Sequence, residues 1–162
     1  MGRETKRWEM NMNFDDQTEG SLRRILDAVV KSDTEAFDTA VRSLKQEDLV
    51  ADVLELGVAV LSYAIFDTYD GKPTAADVEV IAQTVTEMEG WVNLDPAEVR
   101  KYLTGILAGK PLSEILDPQS AFFLTFIIAG SVLAASPKIS EGEWWFNYLD
   151  RVEAAIETAS GK

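Results

Sequence analysis

The chain has no cysteine and no histidine. Without cysteine there is neither a disulfide framework nor thiolate chemistry. That fits a reducing compartment, so a cytoplasmic location is expected. Without histidine the commonest general base, the usual catalytic zinc ligand and the near-neutral pH switch are all missing. The Glu-x-x-His pairs that hold di-iron centres in helical bundles are excluded as well. There is no glycine-rich dinucleotide fingerprint, no phosphate loop and no Gly-x-Ser-x-Gly.

Carboxylates are plentiful, but their close pairs read as surface or capping groups. Glu87 with Glu89, and Glu141 with Glu143, stand two apart, where helical side chains do not share a face. Asp67 and Asp70 sit beside Gly71 in a calcium-loop-like stretch. Gly71 at the sixth loop position, however, would place Phe66 at the first and leave no Glu at the twelfth. The expectation is a protein that is not an enzyme, with no metal site and no cofactor.

Basic charge is also scarce. Residues 1–45 carry eight basic and nine acidic side chains, residues 46–162 seven and nineteen, for a net charge of −13. Such a surface repels phosphate backbones, so nucleic acid is not an expected partner. Solubility is the plainest consequence, and attraction to a basic protein is another.

The most distinctive stretch is Ala121–Ala135, which holds no charge and lies in an uncharged run from Pro118 to Pro137. Its apolar residues show no helical period, so a helix here is apolar all round. That means either the centre of a helical domain or a membrane span. At 1.5 Å per residue Ala121–Ala135 covers about 22 Å, short of a hydrocarbon core of roughly 30 Å. Asp117-Pro118 reads as a cap with proline at the first helical position, and Pro137 ends the run. Flanking cations are limited to Lys138. A buried helix of a soluble domain is therefore expected, with no membrane span.

The rest of the chain reads as helix punctuated by caps. The expected fold is all-α, a single-domain bundle of about seven helices over 18–162. Two of them are apolar and central, about 47–66 and 118–135. Helix 1 is expected near Glu19–Lys31, with Leu22, Ile25, Leu26 and Val29 on one stripe. Helix 2 follows near Thr34–Lys45. Thr74 caps a helix to Glu89, with Val78, Ile81, Val85 and Met88 inward. Asp95-Pro96-Ala97-Glu98 and Ser140-Glu141-Gly142-Glu143 read as capping boxes, the second opening a last helix at Glu141–Thr158. Gly57 and Gly130 lie inside the two apolar helices, where glycine costs about 1 kcal/mol against Ala. A close backbone crossing between those helices is one expected reason, and room for a bulky neighbour is the other.

Residues 1–17 are expected to form an extended arm. Trp8, Met10, Met12 and Phe14 alternate with polar residues, giving one apolar side. The arm would lie on the domain or on a neighbouring subunit. Trp144 and Trp145 make the last helix broad and aromatic. These six residues are the candidate interaction surface, since Trp and Met are enriched at interfaces. The leading functional expectation is a non-catalytic interaction or regulatory module that binds a protein partner or forms a homodimer. A second is a bundle holding an apolar small molecule between the uncharged helices, where Ser62, Tyr63, Thr125 and Ser131 supply polar accents. A third, from charge and size alone, is an inhibitor of a basic effector in the manner of an immunity protein or antitoxin.

Overall fold

A computed structural model describes residues 15–160, and over that span the chain is all-helical. Seven α-helices form among the described residues: α1 Asp16–Val30, α2 Thr34–Arg42, α3 Glu47–Tyr69, α4 Ala75–Met88, α5 Pro96–Leu107, α6 Pro118–Ala134 and α7 Trp145–Ser160. A 3₁₀ turn at Leu112–Glu114 links α5 to α6.

Short polar side chains open most of these helices. Asp15, Asp33, Thr74, Asp95 and Asp117 each accept a backbone N–H of the first turn. Asp15 is a cap and α1 starts at Asp16, so residues 15–17 of the expected arm belong to the helix start, and the rest of that arm lies outside the described residues. The reciprocal capping box forms at Thr74 and Asp77. At Asp95 only the cap itself forms.

The Ser140–Glu143 motif does not open α7. Glu143 Oε1 accepts the Ser140 N–H at 3.0 Å, but Gly142 takes φ 85° and the backbone turns there. The Glu143 carboxylate is also held by Arg151 at 2.7 Å. The helix begins at Trp145 instead, where Asn147 Oδ1 accepts the Trp144 N–H at 2.8 Å.

The core is organised around α6, which packs against α1, α3, α4, α5 and α7. Its residues from Leu124 to Ser131 are all buried, which is why it needs no polar face. Helix α3 lies along α6 in the same direction. Gly57 sits against Phe126, and about two to three helical turns on, Ile65 and Tyr69 border the same cleft as Val132 and Ala135. By length and hydropathy α3 is the helix that could cross a bilayer, with mean hydropathy 2.0, whereas α6 is shorter. In this fold α3 buries Leu49, Val53, Leu56, Val60, Leu61 and Ile65 in the bundle and begins with Glu47 and Asp48.

Gly57 and Gly130 each make room for a bulky neighbour, Gly57 for one on α6 as expected and Gly130 for one on α1. A Cβ on Gly57 would meet the Phe126 ring at 2.9 Å, so this glycine admits an aromatic side chain from α6. A Cβ on Gly130 would meet Val29 of α1 at 2.6 Å, so Gly130 sets the approach of α1 and not of α3. Gly105, on α5, makes room for Ile115 in the same way.

One buried polar pair joins α5 to α6. Thr125 donates its hydroxyl proton to Ala121 O at 2.7 Å, so the Tyr102 hydroxyl, 2.6 Å away, must donate to Thr125 Oγ1. Burial pushes the Tyr102 hydroxyl well above the usual phenol range. Thr125→Val leaves a buried phenol without an acceptor and is expected to lower stability by about 2 kcal/mol; Tyr102→Phe leaves Thr125 bonded and lowers it by about 1 kcal/mol. Urea unfolding of the two variants checks the order.

Candidate functional site

Two places on the surface depart from the acidic, polar norm. The first is the head of α7. Trp144 is 67% exposed and Phe146 is 40% exposed, and their rings stack in near-parallel planes with centroids 6.5 Å apart. Trp145, between them in sequence, points the other way. It is only 8% exposed and joins the core with Tyr148, Leu149 and Val152. Trp144 precedes the helix, at the position whose N–H Asn147 caps, so it does not follow the helical turn that carries Trp145 inward. The surface here is therefore Trp144 with Phe146, and Trp145 is a packing residue that braces Phe146 edge-on at 6.0 Å. Trp8, Met10, Met12 and Phe14 of the expected surface lie outside the described residues.

The second place is an apolar cleft of about 290 Å³ at the carboxyl ends of α3 and α6. Ile65, Thr68 and Tyr69 form the α3 wall. Ser131, Val132 and Ala135 form the α6 wall, and α4 closes the side with Val80, Ile81 and Val85. Helix α4 opens onto it through a row spaced by four residues. Val80 is 57% exposed, Thr84 is exposed, and Met88 is 42% exposed. The expected inward stripe of α4 holds for Val78, Ile81 and Val85 but not for Met88. Met88 ends the helix, where its sulfur accepts from the Ser131 hydroxyl at 3.6 Å. The Val80–Thr84–Met88 row was visible in the spacing as a second uncharged stripe on the same helix.

Where α3 and α6 cross at Gly57 they are closely packed, and the space between them opens at their carboxyl ends, in this cleft. Phe126 against Gly57 closes the crossing, and Thr125 has its hydrogen bonds within the fold. Of the four polar accents, Ser131 borders the cleft. Tyr63 borders a separate polar hollow with Asp67, Tyr148 and Arg151. There Tyr148 donates to Asp67 Oδ2 at 2.7 Å, and Arg151 stands 5.5 Å from the centre of the Tyr148 ring. Burial together with the Asp67 carboxylate pushes the Tyr148 hydroxyl up to about 12, while the nearby Ser136 and Thr68 hydroxyls pull the other way.

A carboxyl with a displaced pKa lies between α1 and α7. Glu153 is buried beside Glu19, with Arg23 bridging Glu19, Asp150 and Glu153. Burial, then the Glu19 charge, hold Glu153 far above the ordinary carboxyl range. Its Oε2 has no hydrogen-bond partner among the described residues. No group of three or more acidic side chains placed to hold a metal ion occurs among the described residues. No protein-family model matches this chain, and no curated protein or solved structure matches it significantly.

Proposed function

We propose that this protein is a non-catalytic, acidic helical module that works by binding another protein or a second copy of itself, in the cytoplasm. The observation that carries the reading is the Trp144–Phe146 stack. It sets two large rings in water at the head of a helix whose neighbouring Trp145 is buried. Trp is enriched in interface hot spots, and each such ring contributes on the order of 1.5–3 kcal/mol when a partner covers it. The apolar side of residues 8–14 belongs to the same reading as a second contact. The perturbed acids of the fold also support a role without chemistry. Glu153 belongs to an inter-helix ion network, Tyr148 to a pair with Asp67, and Tyr102 to the core.

The test is sedimentation of the full chain, of Trp144→Ala/Phe146→Ala, and of a chain lacking residues 1–14. Association is expected in the first and is weakened in the other two. The double variant should unfold within about 1 kcal/mol of the parent, because Trp144 stands largely in solvent and Phe146 is partly covered. Monomers of equal stability in all three, with no partner recovered by the parent, would sink the reading.

A further inference from the structure

The cleft between α3, α4 and α6 has features of its own that association through α7 does not use. Its volume of about 290 Å³ is close to twice the roughly 150 Å³ of an apolar cavity that takes up benzene. Its walls are mainly aliphatic, with Ile65, Ile81, Val85 and Val132 at their centre. No Asp, Glu, Lys or Arg among the described residues lines it. A charged group drawn inside would lose its hydration and find no counter-ion, which is strongly unfavourable.

The polar groups on the walls are hydroxyls, and two of them are poorly used. Thr68 borders the cleft, and its Oγ1 is buried with no hydrogen-bond partner among the described residues. A helical threonine ordinarily bonds back to the preceding turn, and buried polar atoms are rarely left unpaired. The neighbouring Tyr148 hydroxyl gives its proton to Asp67, and although the Thr68 hydroxyl lies near its oxygen, no hydrogen bond of normal geometry joins the two. Ser131 has only a methionine sulfur, a weak acceptor.

We propose that this cleft binds an uncharged, mainly apolar molecule of roughly twelve heavy atoms with one hydroxyl or carbonyl, the size following from the cavity scale. The apolar body lies along Ile65, Val85 and Val132. The single polar group meets Thr68 or Ser131. Val80 and Thr84 frame the mouth from α4.

The experiment is calorimetric titration of the full chain with decanol, decanoate and decylammonium, all below their aggregation limits. Decanol is expected to bind, and the two ions to bind at least about tenfold more weakly. Thr84→Trp, at an exposed position on the rim, fills the mouth and should weaken decanol by about tenfold or more with little change in melting temperature. Ala135→Trp does the same from the α6 side should the first variant fold poorly. Thr68→Val keeps the shape and removes the hydroxyl, and is expected to weaken decanol by about fivefold. Trp144→Ala/Phe146→Ala should bind decanol as the parent does, which separates this site from association through α7. The proposal is overturned by any of three results. These are no heat with decanol, as when water alone serves Thr68; equal binding of all three amphiphiles; or decanol binding unchanged in both tryptophan variants.

Discussion

Gly130→Ala is expected to destabilise the bundle by about 3 kcal/mol, at the upper end of the usual overpacking range. The added Cβ would stand 2.6 Å from Val29 Cγ1 and 2.9 Å from Val29 Cβ. Val29 is fully buried and β-branched, so it has no alternative rotamer to retreat into. The contact is relieved only by moving α1 away from α6, which opens gaps along Leu22, Ile25 and Leu26 as well. Alanine in a helix is worth about 1 kcal/mol over glycine, which offsets part of the loss but not most of it. A double-mutant cycle makes the cause specific. Val29→Ala alone removes buried aliphatic atoms and should lose about 2 kcal/mol. Combined with Gly130→Ala it removes the 2.6 Å contact with Cγ1 and leaves the one with Cβ, so the pair should lose about 4 kcal/mol, whereas independent effects would sum to about 5 kcal/mol. Urea unfolding of the four proteins measures the coupling. Full additivity, or a Gly130→Ala protein as stable as the parent, would show that Val29 does not limit the approach of α1. Gly57→Ala is expected to be milder, because the group it meets is the edge of the Phe126 ring and the first contact is at 2.9 Å.

Glu153→Gln should do the opposite and stabilise the protein by about 2 kcal/mol at pH 8. In the fold, burial and the adjacent Glu19 raise the Glu153 pKa to about 8 from an ordinary 4.5. The folded state thus holds a proton through a range of pH in which the unfolded chain has released it. Stability from this group is complete below about pH 4.5, declines as pH rises, and stops declining above about pH 8. A tenfold change in proton affinity is worth about 1.4 kcal/mol. Glutamine also gives up the ion pair with Arg23, which brings the expected gain to about half of the single-site limit. Glutamine keeps the shape and is neutral at every pH, and its amide can donate to Glu19 where the protonated acid would. The variant and the parent should therefore converge near pH 4.5 and separate steadily toward pH 8. Parallel stability curves across that range would refute the assignment. The acid limb has a different origin. Asp117, through the Ser120 N–H, and Glu143, through Arg151, are held below their ordinary values. Their contribution is lost only as pH falls through those lowered values.

Much of the fold was legible because helices announce themselves locally. The stripe Leu22, Ile25, Leu26 and Val29 is wholly buried, as a 3.6-residue period requires. The Asp33, Thr74, Asp95 and Asp117 caps stand where short polar side chains precede apolar periods. Ala121–Ala135 is apolar on every side because it is surrounded, with helices on each of its faces. The motif that misleads is Ser140–Glu143, whose spacing is right. Arg151, more than two helical turns away, takes the carboxylate, and Gly142 turns the backbone before the helix can begin.

The sites were less legible. Trp144 and Trp145 are equivalent as residue types, and only the docking of α7 on the core decides that Trp145 is buried and Trp144 exposed. Phe146 became part of the surface by the same rotation. The cleft was legible only in its α4 row, because the wall that faces α3 and α4 comes from α6, far along the chain.

By itself the sequence determined the class of fold, the order and caps of the helices, and the exclusion of cysteine and histidine chemistry. Those depend on the identities and spacing of neighbours, and turn geometry and hydrophobic period act over a few residues. The tertiary structure alone decided that Gly130 faces Val29, that Gly57 faces Phe126, that Glu153 is enclosed beside Glu19, and that an apolar cleft remains beside Thr68. Each of these is a relation between side chains brought together by helix docking. Packing selects among partners that look alike along the chain, through volumes and approach distances that no local pattern carries.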